Sequence, residues 1–233
     1  CRLYGMMSAG SDGILAEEYV EGEEYSCDFI IENGRIHVLR MARKVLFKNS
    51  PFGTADAYIL PAALPDGIDR QYVERTLYQS ARLLGLSRAI CMLDFLIRDN
   101  EIVLLEIAPR PGGDCLPFLI RQNSGLDMLK LSLDFAQQRP IRLPISASAG
   151  SHIGVRLHAR HGGVLQKIDA GKLRPDRHVC QIHLTRRPGH VVQMPPEDYD
   201  SWLLGHVIFA AASNLEPETQ CEQILERIAV EIV

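Results

Sequence analysis

The stretch LLEIAPRPGGD, residues 104–114, decides how this chain is read. An apolar run carries Glu106, then breaks abruptly into Pro109, Arg110, Pro111, Gly112, Gly113 and Asp114. A strand that ends in proline and glycine, with a carboxylate and a guanidinium four residues apart, reads either as a salt-bridged turn or as a site. Working backwards, AICMLDFLI (89–97) and EIVLLEI (101–107) read as two strands joined by a turn at Asp99-Asn100. Asp94 lies in the first strand and Glu106 in the second.

Side chains on a strand alternate faces, so the loop length decides whether these carboxylates meet. A two-residue loop sets Asp94 opposite Leu105 and turns Glu106 to the other face. A three-residue loop, Arg98-Asp99-Asn100 with Asn100 left-handed, makes Asp94 and Glu106 diagonal neighbours on one face, roughly 7–8 Å apart or less. Asn tolerates that conformation, so the odd loop is chemically reasonable, and a shared carboxylate site requires it. Two carboxylates flanked by leucines need a balancing charge. A hard divalent cation supplies it, and carboxylate, water and phosphate oxygens are how Mg²⁺ is usually held. Arg110 suits phosphate or carboxylate oxygens, and the Gly112-Gly113 amides suit an anion. An Asp94–Arg110 ion pair, with the glycines serving only the turn, accounts for the same residues.

Upstream, EYSCDFII (24–31) and RIHVLRMAR (35–43) flank Asn33-Gly34, a strong hairpin signal. ILAEEYV (14–20) reads as a short strand punctuated by Gly22. Its backbone at Glu17–Val20 suits the edge of an adenine ring, and a Glu carboxylate suits ribose hydroxyls; a solvated acidic hairpin is the plain alternative. Lys44 and Lys48 follow the second strand, as phosphate contacts or surface lysines. Residues 48–68, rich in Pro and Gly, read as a long loop. Apolar residues at Val73, Leu77, Ala81 and Leu84 give a helix over 70–86, stopped at Gly85. Residues 125–138 form a second helix closed by Pro140. From 141 onwards short β-like pieces alternate with turns, and a final helix runs from Pro217 through ETQCEQILERIAVEI.

The bulk properties set limits. The chain has 233 residues, 46% hydrophobic and 23% charged, which is globular composition with one or two cores. A net charge of −4 argues against nucleic acid as a partner. No apolar run approaches the roughly 18 residues of a membrane span. The six cysteines show no CxxC pair, so reduced, mostly buried thiols in a cytoplasm are expected. His158 and His161 lack partners at ligand spacing and read as surface or strand histidines. Residues 1–14, beginning at Cys1, read as the interior of a longer polypeptide.

Taken in order, these pieces resemble the ATP-grasp superfamily of carboxylate–amine and carboxylate–thiol ligases. The resemblance rests on Glu17, Val20, Gly22 and Glu24, then Asp94 in CMLDFLI, then EIAPRPGG, and covers about residues 15–140. It implies an α+β fold: the C-terminal lobe of an ATP-grasp domain, an antiparallel sheet with helices, over residues 1–147, and a smaller, mostly β domain over 148–233 packed above the active site. It implies that the first lobe, with its Gly-rich phosphate loop, precedes residue 1. The cofactors implied are ATP and Mg²⁺ (or Mn²⁺). Glu17, Glu18 and Val20 lie at the adenine contact, and Glu24 holds the ribose. Asp94 and Glu106 bind the metal, Arg110 stabilises the transferring phosphoryl group, and Lys44 contacts phosphate. The third metal-ligand position, usually Asn, is Ala108, which cannot coordinate.

The activity so implied is phosphoryl transfer from ATP to a carboxylate, then attack by an amine on the acyl-phosphate, with an amino acid or small peptide as substrate. The partners expected are those two small molecules, with room for a homodimer and none for nucleic acid or membrane. The rival readings are a bicarbonate-using enzyme of the biotin-carboxylase or carbamoyl-phosphate-synthase kind, and a catalytically incomplete ATP-grasp fragment.

Overall fold

The structure is a computed structural model. It describes residues 17–48, 50–51, 53–141, 143 and 150–233. The chain starts its regular structure with a hairpin, β1 (Glu23–Glu32) and β2 (Arg35–Val45). Asn33 and Gly34 both take positive φ, 51° and 72°, as a two-residue hairpin turn demands. β1 is buried along almost its whole length. It pairs on one side with β2 and on the other with β4 (Ala89–Arg98), which in turn pairs with β5 (Glu101–Ala108).

Helix α1 (Arg70–Leu83) starts at Asp69, whose carboxylate accepts from the Tyr72 amide, and stops before Gly85 at φ 73°. Its Val73, Leu77 and Ala81 pack on Tyr25, Cys27, Phe29, Leu93 and Phe95. Those are alternate residues of β1 and β4, so α1 covers one sheet face. The opposite face carries Ile30, Ala42 and Ile90 under α2 (Leu116–Ser124) and α3 (Met128–Ala136). Burying a single Leu or Ile side chain here contributes roughly 1.5–3 kcal/mol.

The sequence left α2 unread. Its first turn holds Pro117, which is favourable there because that N–H needs no helical partner, and Gly125 closes it in the left-handed region. The supposed long loop contains β3 (Ala57–Leu60), which pairs with both β2 and β6 (His152–His158). β10 (Leu203–Ala210) and β8 (Val179–Leu184) continue the same sheet. Its order is β5-β4-β1-β2-β3-β6-β10-β8. The expected division at 147/148 lies outside the described residues, and the sheet continues on the far side of it. A smaller sheet joins β11 (Ala229–Ile232), β7 (Gly163–Asp169) and β9 (Val191–Val192). The final helix is shorter than expected. α4 (Pro217–Leu225) gives way to β11, because Val230 and Ile232 alternate against β7 instead of continuing a helical face. Among the described residues no helix is long and apolar enough to cross a membrane. Cys27, Cys91, Cys115 and Cys221 are free buried thiols, as expected, and Cys180 is exposed.

Candidate functional site

Asp94 and Glu106 are direct cross-strand partners. The route to that pairing differs from the one expected. The β4–β5 turn is two residues, Asp99 and Asn100, with φ 52° and 62°, and Arg98 pairs with Glu101. Such a turn matches the twist of the strands. By itself it would set Asp94 against Leu105. The ladder slips between Asp94 and Phe95, so Phe95 faces Leu104 and Asp94 faces Glu106. A β-bulge in mid-strand therefore does what an odd loop was expected to do. Direct partners have Cβ atoms roughly 4.5–5.5 Å apart, closer than the expected diagonal.

Lys44 enters this face from β2. Its ammonium donates to Asp94 Oδ2 at 2.6 Å and to Glu24 Oε1. Burial pulls the Lys44 pKa down, but the Asp94 and Glu24 carboxylates outweigh it and leave it above the usual lysine value. One ammonium thus bridges two carboxylates, Glu24 and Asp94, and Glu106, the exposed cross-strand partner of Asp94, adds a third carboxylate to the same face. Asp94 Oδ1 is buried without a hydrogen-bond partner. A buried carboxylate oxygen left bare is costly, and an arriving cation or donor would satisfy it. Ala108 sits opposite Met92 and offers only a methyl. Among the described residues no cluster of three or more His, Cys, Asp or Glu is placed to hold a metal by itself.

Arg110 is exposed, and its Nη1 donates to the Pro111 carbonyl at 3.1 Å. It does not pair with Asp94, whose partner is Lys44. The Gly112 amide is not open to a ligand either. It donates to Asp28 Oδ1 at 2.7 Å, so an internal carboxylate already occupies the anion role expected of it. Residues 17–20 form no strand, and residues 14–16 of that expected element lie outside the described residues. Glu17 and Glu18 are exposed and Val20 is half-buried. Gly22 serves close approach more than a turn: a Cβ there would lie 2.8 Å from the Ile97 carbonyl oxygen. Lys48 is exposed. His158 lies in β6 and stacks on Trp202, ring centroids 4.0 Å apart, as a packed strand histidine.

Several polar residues on or above the sheet escaped the sequence reading. Arg40 and Asp28 form a fully buried ion pair at 2.7 Å. Asp114 pairs with Arg156 of β6 at 2.5 Å. Burial raises the Asp114 pKa against the opposing pull of Arg156. His206 of β10 pairs with Arg156 on one side and His183 on the other, and Phe118 of α2 packs on both rings. Burial, then His183 and Arg156, lower the His206 pKa to about 4. The available signal was Ser26 and Asp28 at alternate positions inside an otherwise apolar strand.

Residues 3–117 match the ATP-grasp domain. That half of the chain belongs to the ATP-grasp superfamily. In a 120-position alignment that covers 47% of this chain, it is 30% identical to a D-alanine–D-alanine ligase of Paracidovorax citrulli (strain AAC00-1), of which it spans 34%. Its fold is similar to that of an L-amino acid ligase from Bacillus licheniformis, TM-score 0.75 at 18% identity, over 92% of this chain and 55% of that one. A phosphoribosylglycinamide synthetase from Anaerococcus prevotii gives TM-score 0.72 at 17% identity, over 93% and 55%. The chain thus spans about a third of the curated ligase and about half of either solved structure.

Proposed function

We propose that this chain supplies one side of the active site of an ATP- and Mg²⁺-dependent carboxylate–amine ligase, acting on an amino acid or small peptide through an acyl-phosphate. The observation that carries the reading is the convergence of Glu24, Lys44, Asp94 and Glu106 from four neighbouring strands onto one face, with Asp94 Oδ1 unpartnered. The D-alanine–D-alanine ligase and L-amino acid ligase among its relatives support the substrate class.

Asp94 and Glu106 would hold the cation, Asp94 through Oδ1, since Lys44 takes Oδ2. When bound, Mg²⁺ supplies charge neutralisation on the triphosphate. The remaining steps fall to this chain's own groups. Glu24 receives the ribose hydroxyls, and the backbone of residues 17–20 the adenine edge. Lys44 lies where its ammonium meets phosphate oxygens. Arg110, exposed at the end of β5, places its guanidinium over the transferring phosphoryl group. The γ-phosphorus bond to ADP breaks as the substrate carboxylate oxygen bonds to phosphorus. The amine then attacks the acyl carbon, releasing phosphate and a proton. Catalysis on this reading is positioning and electrostatics, with no covalent step on the protein.

The test is ADP release by the full-length protein. A carboxylate and an amine together should stimulate it, and Asp94→Asn or Glu106→Gln should abolish it. Turnover retained in both variants would remove these carboxylates from the reaction.

A further inference from the structure

We propose that Asp28 and Arg40 are positioning residues for the proposed reaction: together they anchor the 109–114 loop over the sheet and so set where Arg110 stands. The catalytic half of this inference rests on the ligase reading; the anchoring half does not. The Asp28 carboxylate is buried and engaged on both oxygens. Oδ2 accepts from Arg40 Nε at 2.7 Å, and Oδ1 accepts from the Gly112 amide at 2.7 Å, 84 residues away. Arg40 then reaches back along β1. Its Nη1 donates to the Ser26 carbonyl at 2.8 Å and its Nη2 to Ser26 Oγ at 3.1 Å. Ser26 is the cross-strand partner of Asp94. One continuous chain of charge-assisted hydrogen bonds therefore joins the loop carrying Arg110 to the strand position beside Asp94.

The local backbone is shaped for this pair. The β1–β2 ladder slips at Asp28/Phe29, where Asp28 faces Arg40 and Phe29 faces Val38, leaving Leu39 as the extra residue. Bulges of this kind re-aim the side chains next to them. Gly112 leaves no room for an alternative arrangement, since a Cβ there would lie 2.5 Å from Arg40 Nη2. A salt bridge serving only the sheet would not need to bind the Gly112 amide. Asp114 adds a second tether by pairing with Arg156 on β6, so the stretch after Arg110 is held to the sheet at two points.

The experiment is amide hydrogen exchange across residues 109–116 of the full-length protein without nucleotide, beside steady-state kinetics. The double variant Asp28→Leu with Arg40→Met replaces the pair by apolar groups of similar volume, which cores often tolerate. If it does not fold, Asp28→Asn, which keeps the shape and weakens both bonds, takes its place. In the folded variant, exchange at Gly112 should rise about tenfold or more while β1 and β4 stay protected. The kcat should fall about 10–100-fold, with KM for Mg-ATP little changed, as expected for a displaced catalytic group. Unchanged exchange at Gly112 would overturn the anchoring. Faster exchange with unchanged kcat would overturn its bearing on the reaction. A wild-type protein without turnover would count against the ligase reading, and the exchange result would still decide the anchoring.

Discussion

At the residue scale, Lys44 holds the proposed site together before any ligand arrives. It is the cation between Glu24 and Asp94, and its side chain is only 11% exposed. Replacing it with Met leaves the two carboxylates facing each other. Their shared, mostly buried cation is then gone. Urea melts should show Lys44→Met destabilised by about 1–3 kcal/mol at neutral pH. Stability equal to that of the unaltered protein would contradict the pairing. Asp28 teaches a related point. A carboxylate inside the run EYSCDFII looked like one polar position on a strand, yet it is bonded to an arginine and to a glycine amide 84 residues away. Sequence spacing holds no record of partners so distant.

At the element scale, the local signals were read well where one element decided its own shape. Asn33-Gly34 gave the first hairpin, and the Val73–Leu77–Ala81 spacing gave α1. The reading failed where tertiary pairing decided. β3 is four residues in a proline-rich stretch, and it is a strand because β2 and β6 flank it. β11 is a strand because β7 pairs with it, although its residues continue a helical pattern. The proposed site followed the same rule: Asp94 and Glu106 were legible as a pair, while the bulge that aligns them was not. That bulge gives a sharp expectation. Deleting Leu105 should regularise the β4–β5 ladder and keep Glu106 opposite Asp94, because the extra residue is the one removed. The shortened protein should retain Mn²⁺-nucleotide binding, read by calorimetry within about threefold of wild type. Loss of binding comparable with Asp94→Asn would show that the bulge lies elsewhere.

At the scale of the whole molecule, one eight-stranded sheet links the carboxylates near one edge to the imidazoles near the other among the described residues. His206 makes that far end pH-sensitive. Its pKa falls to about 4 in the fold, so between the ordinary histidine value and 4 the unfolded chain binds more protons. Stability should therefore drop as pH falls from about 6.5 towards 4, by about 2 kcal/mol at pH 4.5 from this group. His206→Phe keeps a ring against Phe118 and should flatten that part of the profile in denaturant melts; an unaltered slope would assign the loss elsewhere. At the other end, Asp94 and Glu106 are proposed to hold a divalent cation on ATP together. Mn²⁺ binding to the full-length protein, followed by electron paramagnetic resonance with and without ATP, tests it most directly. An ATP-dependent bound signal should appear and should weaken at least about tenfold in Asp94→Asn and in Glu106→Gln. An undiminished signal in either variant would contradict it.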